Sequence, residues 1–425
     1  MQNILALVIA FSRGEALGVL THYRPLSTLP FGGLYRFIDF AMSNLSRSNI
    51  HNVGLLFQYC SDSLIRHVNT GESWNIGRDV GKFAMLPPMQ TPQKARWYAS
   101  TFDALCQNLE FIQNEDPDLV LILTGDHIYH IDFQRLIDFH VKNDADATLV
   151  LAKVPAKDAC RFCLAEMDDE CGQQGGRITK YGNNGQHVAS NWGSMDIWVF
   201  NRETLLNRLD DYIEEVQGYS FDKDIFPKLV HHSRLYGYKH KGYFGHARSI
   251  DEYWSTNMEL LRNSGRIHIE DWGIRTNLQN ESTCDRPPTL FGAGARVSHS
   301  LIYNGCEIKG SVESSIIFPG VRVAEGARVR NSILMYDSTV DEDATLNKAI
   351  LDVEVNVGCN TRIGLDGENI PNEHLLDSLT SGITVIGRNT YIPKDMRIGK
   401  NCIIYPNLDE GDFNKRFIHS GSVVL

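Results

Sequence analysis

A hexapeptide repeat in the last third of the chain is the feature that most narrows its possible folds. Triplets of one small residue and two Ile or Leu residues begin at Ser300, Ser315, Ser332 and Ala349, at spacings of 15, 17 and 17 residues. A second set of apolar residues repeats at the same steps of 15, 17 and 17 residues: Ile308, Val323, Val340 and Val357. Within the repeats, apolar residues are six positions apart: Val323/Val329, Val340/Leu346 and Val357/Ile363. The step of six continues later at Ile386, Ile392, Ile398 and Ile404. Coils of this length stack their apolar positions into one core. The repeat therefore predicts a parallel β-helix, interrupted by a loop at 365–383.

The first 250 residues differ, because apolar runs alternate there with amphipathic stretches. The runs lie at 4–10, 52–58, 118–126 and 147–154, and the stretches at 38–48, 61–68 and 102–114. This alternation predicts a mostly parallel sheet covered by helices on both faces, which would bind ligands at the carboxyl ends of its strands. The segment 165–190 is rich in Gly, Asn, Gln and Asp and predicts a hairpin or a loop excursion. We expect an α/β domain at 1–260, a linker at 261–288 and a β-helix domain at 289–425.

The charge balance argues against polyanionic partners. The 425 residues include 41 Lys and Arg and 52 Asp and Glu, which gives a formal net charge of −11. Such a chain, without a basic run, is a poor binder of nucleic acid or anionic membranes, although local basic pockets can still hold phosphates. No window approaches the ~20 apolar residues of a membrane span, and the first residues lack the features of a signal peptide. We expect a cytoplasmic protein.

The nine cysteines are scattered, and their odd number fits free thiols in a reducing compartment. Cys160 and Cys163 form a C-x-x-C pair, and Cys171 follows. A zinc site needs a second pair or nearby histidines at a suitable spacing, and the sequence has neither. Structural or incidental thiols are the preferred interpretation.

A β-helix of this kind has two common uses, an acyltransferase site between subunits or an appendage for assembly and regulation. The acyltransferase hypothesis favours a histidine in a loop of the coils. His299 is the only histidine between residues 285 and 373, so the sequence gives that hypothesis little support.

Several short motifs occur in a fixed order before residue 260. They are RPLSTLPFGGLYRFID at 24–39 followed by FAMSN, RWY at 96–98 with Asp103 and Ala104, GDHIY at 125–129, SM at 194–195, DKDI at 222–225 with Pro227, and IDEYW at 250–254. In order and content they resemble the glucose-1-phosphate adenylyltransferase (ADP-glucose pyrophosphorylase) family. The resemblance implies a nucleotidyltransferase-type α/β domain followed by a left-handed β-helix. It also implies the family's reaction, in which ATP and glucose 1-phosphate give ADP-glucose and pyrophosphate for bacterial glycogen synthesis.

This reaction requires particular types of residue, and the sequence can be searched for them. Attack of a sugar phosphate on the α-phosphate of ATP places negative charge on phosphate oxygens, so catalysis is mostly positioning and charge stabilisation. It calls for a Gly-rich turn whose backbone N–H groups approach phosphates, and for Arg or Lys beside the triphosphate. It also calls for carboxylates that hold Mg²⁺.

The phosphate loop departs from the family's pattern. Active members read AGGRGTRL where this chain reads AFSRGEAL at 10–17, in an alignment without gaps from residue 10 to 33. Phe11 and Ser12 replace two glycines, which places side chains where a phosphate should approach the backbone. Glu15 replaces a threonine and adds negative charge. Ala16 replaces the catalytic arginine, and Leu26 replaces the lysine of the family's RAKP motif.

Three further positions differ. The glucose 1-phosphate motif EKP is replaced by GNNG at 182–185, and Cys163 replaces the glycine of FGV. His246 aligns with the second metal carboxylate. Losing a single electrostatic donor can cost ~10²–10³ in rate, so together these losses predict little activity.

Other positions match the family and keep candidate roles. Tyr98, Asp103, Gly125 and Ser194 would be vestiges of nucleotide and sugar binding, and Asp126 would be the remaining ligand of Mg²⁺. Alternatives stay open: Asp126 could cap a turn, Tyr98 could be a core aromatic, and His246 could be a substitute metal ligand or an ordinary loop histidine.

Arg24 and Arg36 lie in a segment that supplies basic effector contacts in the family. Two arginines can hold a sugar phosphate bidentately, although they could equally form surface ion pairs worth ~0–1 kcal/mol. Glu15 could simply face solvent.

The segments HYRPLS at 22–27 and GESWNIGR at 71–78 resemble, more specifically, the family's regulatory GlgD-type subunit. This resemblance implies a heterotetramer with a catalytic paralogue, in which the chain raises activity or tunes the response to a sugar-phosphate effector. The first hypothesis is therefore a regulatory subunit without activity of its own. The alternative is an active glucose-1-phosphate adenylyltransferase that works with Arg13, Asp126 and another carboxylate. An acyltransferase or scaffold is a third.

Overall fold

The structure, a computed structural model, describes residues 2–77, 81–91, 94–168, 172–183, 188, 190–210, 219–262, 267–279, 284 and 286–425. Its contacts divide the chain into two compact units. The first, here called the sheet unit, contains Met1–Ser12, Ile38–Ser61 and Val68–Phe244. The second, the β-helix unit, contains Arg13–Phe37, Asp62–His67 and Gly245–Leu425. The early segments Arg13–Phe37 and Asp62–His67 therefore belong with the β-helix. The expected domain boundaries at 260 and 288 instead place both segments in the α/β domain.

The elements before the β-helix alternate between strands and helices. The strands are β1 (Ile4–Ile9), β2 (Pro30–Phe31), β3 (Tyr35–Arg36), β4 (Asn52–Leu56), β5 (Phe83–Leu86), β6 (Gln90–Thr91), β7 (Lys94–Ala95), β8 (Leu119–Thr124), β9 (His127–Tyr129), β10 (Ala147–Lys153), β11 (Cys163–Met167), β12 (Gly175–Asn183), β13 (Trp192–Asn201), β14 (Leu235–His240) and β15 (Phe244–His246). The α-helices are α1 (Phe37–Arg47), α2 (Ser61–Val68), α3 (Thr101–Gln107), α4 (Leu109–Glu115), α5 (Phe133–Lys142), α6 (Arg202–Asp210), α7 (Phe226–His232), α8 (Ile250–Met258) and α9 (Ile269–Trp272).

A nine-stranded sheet forms the centre of the sheet unit, in the order β10-β14-β12-β11-β13-β8-β1-β4-β5. The strands β8, β1, β4 and β5 are parallel, and the first three are runs of mostly buried apolar residues, as expected for a sheet covered on both faces. The segment 163–201 adds antiparallel strands, of which β11 and β12 form the predicted hairpin. The four apolar runs of the sequence are thus confirmed as β1, β4, β8 and β10.

One predicted helix is divided in two. The stretch 102–114 forms α3 and α4, which meet at Asn108, where φ is −110° and ψ is 20°. The Asn108 side chain donates to the Ala104 carbonyl oxygen at 2.8 Å and to the Tyr98 hydroxyl at 2.9 Å. A side chain that bonds locally to the backbone competes with the helical hydrogen bonds, which explains the break.

The repeats form three parallel sheets that make the predicted left-handed β-helix. The first contains β16 (Leu290–Phe291), β19 (Glu307–Ile308), β22 (Arg322–Val323), β25 (Thr339–Val340), β28 (Asn356–Val357) and β31 (Tyr391–Ile392). The second contains β17 (Arg296–Ser298), β20 (Ser311–Glu313), β23 (Arg328–Arg330), β26 (Thr345–Asn347), β29 (Arg362–Ile363), β32 (Arg397–Ile398) and β34 (Phe417–Ile418). The third contains β18 (Leu301–Ile302), β21 (Ile316–Ile317), β24 (Ile333–Leu334), β27 (Ala349–Leu351), β30 (Thr384–Ile386), β33 (Ile403–Ile404) and β35 (Val423–Val424).

The apolar ladders of the sequence form the core of the β-helix. Val312, Val329, Leu346 and Ile363 occupy successive rungs of the second sheet, and each is fully buried. Burying one such side chain is worth roughly 1.5–3 kcal/mol, so the stack contributes much of the unit's stability. The predicted insertion at 365–383 lies between β29 and β30.

The early segment 13–37 is held within the β-helix unit by its β2–β3 hairpin. Gly33, at φ 89°, lies so close to Tyr303 that an added Cβ would be 2.0 Å from its ring. Tyr336 donates its hydroxyl proton to the Leu34 carbonyl oxygen at 3.1 Å, and Tyr253 donates to that of Pro30 at 2.6 Å. The PFGG motif therefore has a packing function in this unit.

In the part of the chain that the structure describes, no helix is both long enough and apolar enough to cross a membrane.

Candidate functional site

The carboxyl ends of β1 and β8 lie side by side in the sheet unit and form the first candidate site. Ile9 is paired with Thr124, and the Gly125 N–H donates to the Ile9 carbonyl oxygen at 2.8 Å. A Cβ on Gly125 would find Ile38 at 3.4 Å and the Ile9 oxygen at 3.5 Å, so the backbone itself could accommodate a larger residue. A glycine keeps this edge open to a ligand, at the position where parallel sheets bind them.

Asp126 follows at this edge and is buried. Burial raises the pKa of its carboxyl group to about 7, and Asp196 adds to the rise, while hydrogen bonds with Ser12 and Thr124 oppose it. Its Oδ1 has no hydrogen-bond partner among the described residues. A buried carboxylate oxygen without a partner costs free energy unless a ligand takes it up.

Mg²⁺ fits this atom, because it binds carboxylate oxygens and keeps several of its waters. When bound, the ion would neutralise charge developing on phosphate oxygens. The described ranges contain no group of three or more His, Cys, Asp or Glu side chains that could hold a metal together, so Asp126 would ligate the ion with at most one other such side chain.

Tyr98 lies in the same unit and is 3% exposed. Its hydroxyl donates to the Leu86 carbonyl oxygen at 3.1 Å and accepts from Asn108, and Gln58 bonds to both its N–H and its carbonyl oxygen. Burial raises the pKa of Tyr98 to about 12. The ring of Phe11 lies against it, with 5.3 Å between centroids and a 45° interplanar angle.

Asp103 and Ser194 have contacts within the chain. Asp103 is fully buried, its Oδ2 accepts from the Ala99 N–H at 2.9 Å and from Gln107, and its Oδ1 lies 2.9 Å from Arg96. Ser194 lies on β13, where its Oγ accepts from the Asp196 N–H at 3.3 Å. These contacts support the local fold. A ligand-binding role for Asp103 or Ser194 remains a prediction.

The replaced positions Ala16, Leu26 and His246 all lie in the β-helix unit. Ala16 is on a 3₁₀ turn (Glu15–Thr21), and Leu26 is 7% exposed, with its Cβ against Gly14. His246 ends β15, and its Nδ1 is 2.9 Å from the Glu252 carboxylate. Neither Ala16 nor Leu26 offers a charge to a phosphate.

Glu15 extends into solvent, which agrees with one of the alternatives. Its side chain is 82% exposed and lies 3.9 Å from Arg13. At this exposure its charge is largely screened by water.

Arg24 and Arg36 line a second candidate site, here called the arginine cleft, of about 310 Å³ in the β-helix unit. Arg24 is buried and its Nη2 forms a 2.5 Å ion pair with Asp352. Arg36 donates to the Ser63 hydroxyl at 3.1 Å. The charged residues lining the cleft are four arginines, Arg24, Arg36, Arg66 and Arg388, and two carboxylates, Asp62 and Glu354.

Two of these arginines have defined neighbours. Arg66 pairs with Asp62 at 2.9 Å, and both side chains are exposed. The Arg388 guanidinium lies 5.6 Å from the ring centroid of Tyr23, in a cation–π contact. The cleft therefore combines a cationic excess with an aromatic wall.

Sequence reasoning did not identify Arg66, Arg388 or Asp352. Arg66 lies in the 61–68 stretch, whose pattern predicts only a helix. Arg388 and Asp352 are in the β-helix, and nothing local distinguishes them from other charged residues of the turns. Only the fold brings these positions to the segment 13–37.

Some predicted positions are outside the described residues. These are Asn184 and Gly185 of the GNNG segment, Cys171 and Arg78. Cys160 and Cys163 are described and form no disulfide, in agreement with the free-thiol interpretation.

Comparisons with known proteins agree with the fold. Residues 5–263 match the family model described as nucleotidyl transferase, and residues 291–386 match that described as GlmU-like, C-terminal hexapeptide. The glucose-1-phosphate adenylyltransferases of Acetivibrio thermocellus and Thermotoga neapolitana are both 36% identical to this chain. They match over 100% of it and over 98% and 99% of their own lengths. That of Thermotoga maritima is 35% identical, over 100% of this chain and 99% of its own.

The fold and these matches first define a class, a nucleotidyltransferase domain joined to a C-terminal hexapeptide domain. Within that class, the identities over full length show that the chain belongs to the glucose-1-phosphate adenylyltransferase family.

Proposed function

We propose that this chain is a regulatory subunit of ADP-glucose pyrophosphorylase in glycogen biosynthesis, with weak or no catalysis of its own. The enzyme's reaction converts ATP and glucose 1-phosphate to ADP-glucose and pyrophosphate. The relatives named above are glucose-1-phosphate adenylyltransferases. We assign their reaction to the complex that contains this chain, and we expect the chain alone to catalyse it much more slowly than they do.

The observation that carries the proposal is the absence of a cationic side chain at Ala16 and Leu26. Ala16 presents a methyl group, and Leu26 is a buried apolar side chain that packs within its own unit. Stabilising the charge of the transferring phosphate commonly contributes more to catalysis of this type than any other effect. Since each lost donor costs ~10²–10³ in rate, and losses within one site are not additive, turnover by this chain alone should be small.

The arginine cleft supports the regulatory half of the proposal. Four guanidinium groups and two carboxylates line the cleft, and Arg24 also pairs with the buried Asp352, which leaves a net excess of one positive charge. Arginine holds phosphate oxygens bidentately, and an anionic sugar with one or two phosphates fits a cleft of about 310 Å³. We infer that Arg24 and Arg36, together with Arg388, bind a sugar-phosphate effector.

The remaining partners follow from the same proposal. A catalytic paralogue would complete a heterotetramer, and Mg²⁺ on Asp126 would accompany any ATP, glucose 1-phosphate or ADP-glucose that this chain retains. We infer a cytoplasmic location from the free thiols, and the charge of −11 favours neither nucleic acid nor anionic membranes as partners.

The test is co-expression of this chain with a catalytic member of the family from the same genome, followed by purification on a tag carried by this chain only. We expect both subunits in one complex, whose ADP-glucose synthesis responds to hexose phosphates differently from the catalytic subunit alone. Arg388→Ala should raise the half-saturating effector concentration at least tenfold. Arg328→Ala is the matched control, because Arg328 lies exposed on the second sheet and outside the cleft. Separate elution and an unchanged effector response would contradict the proposal.

The second candidate, an active adenylyltransferase with an altered loop, is favoured by one observation. Gly125 and Asp126 retain an open edge and a carboxylate oxygen without a partner among the described residues. If this candidate is correct, the chain alone makes ADP-glucose, and Asp126→Ala abolishes that activity.

A further inference from the structure

Phe11 and Ser12, the second and third residues after β1, lie beside retained residues of the sheet unit. The ring of Phe11 packs against that of Tyr98 with 5.3 Å between centroids, and Ser12 is one of the groups that lower the pKa of the Asp126 carboxyl group. Active family members have glycines at these two positions, and glycine has no side chain to make either contact. The changes in the loop therefore do more than remove a phosphate contact, because they add groups at the edge where a ligand would bind.

The polar atoms of Tyr98 are fully committed. Its hydroxyl, N–H and carbonyl oxygen all bond to Leu86, Asn108 or Gln58. Only its ring is left to contact a ligand, and Phe11 packs against that ring at an interplanar angle of 45°. Phe11 itself is half-buried and packs on the hydrophobic core that includes Tyr98.

Asp126 is the second retained residue at this edge. Ser12 lowers the pKa of its carboxyl group against the effect of burial, so the two side chains are neighbours. The Oδ1 atom of Asp126 remains without a partner among the described residues.

We propose that Phe11 is an internal occupant of the nucleotide edge, which blocks a purine nucleoside triphosphate from the ring of Tyr98. The inference rests on the proposed function in one respect, that this edge is the family's nucleotide edge. Phe11 is then the residue that determines whether the chain binds nucleotide. Truncating it should uncover the ring of Tyr98, because planar bases stack on aromatic faces.

The test measures binding of ATP with Mg²⁺ to the purified full-length chain by titration calorimetry. The variant is Phe11→Ala and the matched control is Phe111→Ala. Phe111 is also a half-buried phenylalanine that packs on the same core, but it lies on α4. We expect Phe11→Ala to lower the Kd for ATP at least tenfold relative to the wild type, whereas Phe111→Ala leaves it unchanged.

Two results would overturn the inference: equal ATP affinity in folded wild type and Phe11→Ala, or an equal gain in Phe111→Ala. If Phe11→Ala does not unfold cooperatively, Phe11→Leu takes its place. It keeps an apolar contact with the core but removes the ring, and a gain below threefold there would overturn the inference too. Because binding is measured on the isolated chain, the result is independent of whether the chain regulates a paralogue. A gain in affinity without co-purification would contradict the proposed function and support this inference.

Discussion

Arg24 and Asp352 are 328 positions apart in sequence and form a buried ion pair, with 2.5 Å between Nη2 and Oδ1. Their side chains are 7% and 1% exposed. Asp352 follows β27 of the β-helix, and Arg24 lies in the early segment 13–37. Their pairing connects the arginine cleft to the coils of the β-helix within one compact unit. An effector that binds Arg24 must therefore act against, or together with, the charge of Asp352.

Removing one member of this pair should destabilise the protein strongly. Asp352→Ala leaves a buried guanidinium without its counter-charge, which typically costs about 3–5 kcal/mol. Replacing both residues, as in Arg24→Met with Asp352→Leu, should restore most of the loss. Urea unfolding measures both. Asp62→Ala is the control, because the exposed Asp62–Arg66 pair should contribute less than ~1 kcal/mol. Equal losses from Asp352→Ala and Asp62→Ala would contradict this prediction.

The pH dependence of stability should reveal the buried Asp126. Its pKa is about 7 when folded and near 4 when unfolded, so the folded state holds a proton that the unfolded state loses between these values. Stability from this group therefore falls as pH rises from 4 to 7, by about 4 kcal/mol in total. Asp126→Asn lacks the effect, so its advantage over the wild type should grow across this window and then level off. Thermal unfolding in EDTA at pH 5, 6, 7 and 8 checks this, and a constant difference would be incompatible with a raised pKa.

Matched valines should separate the inner rungs of the β-helix from its first rung. Val297 and Val329 share one column of the second sheet, but Val329 is fully buried and Val297 is 43% exposed. Val329→Ala should cost about 2 kcal/mol through lost burial and a cavity, and Val297→Ala well under half of that. Denaturant midpoints of the two variants make the comparison. Similar losses would mean that the first rung is as well packed as the third.

Two glycines with positive φ should respond differently to alanine. Gly33→Ala would place a Cβ 2.0 Å from the Tyr303 ring, whereas Gly172→Ala meets nothing within 4 Å. Both variants bear the cost of a left-handed conformation, about 1 kcal/mol, and only Gly33→Ala adds a clash. We expect a drop in Tm for Gly33→Ala several times that for Gly172→Ala. A smaller drop for Gly33→Ala would show that Tyr303 moves aside at little cost.

The fold was predictable because its signals are periodic. The steps of 15 to 17 residues between Ser300, Ser315 and Ser332 match the strands β18, β21 and β24 directly, since each coil must place the same side chain on the same rung. The runs that form β1 and β8 are equally clear. The split of α3 from α4 at Asn108 was not predictable, because helical periodicity does not reveal that the Asn108 side chain bonds to the Ala104 carbonyl oxygen and to Tyr98.

The candidate sites were only partly predictable. Motif resemblance indicated Asp126, Arg24 and Arg36, but it could not reveal that Asp352 pairs with Arg24 or that Arg388 stacks on Tyr23. Such contacts depend on three-dimensional folding between residues hundreds of positions apart. The lack of cationic side chains at Ala16 and Leu26 was visible in the sequence, because it required only an alignment.

Whether this chain is a regulatory subunit is tested most directly by ADP-glucose synthesis by the purified chain, alone and mixed with a catalytic family member, in the presence of Mg²⁺, ATP and glucose 1-phosphate. We expect turnover by the chain alone at least ~10³-fold below that of the catalytic subunit, because several charge-stabilising groups are missing. We also expect the mixture to exceed the catalytic subunit in rate or in effector sensitivity. Rapid turnover by the chain alone, abolished by Asp126→Ala, would rule out the regulatory role and establish an active enzyme with an altered phosphate loop.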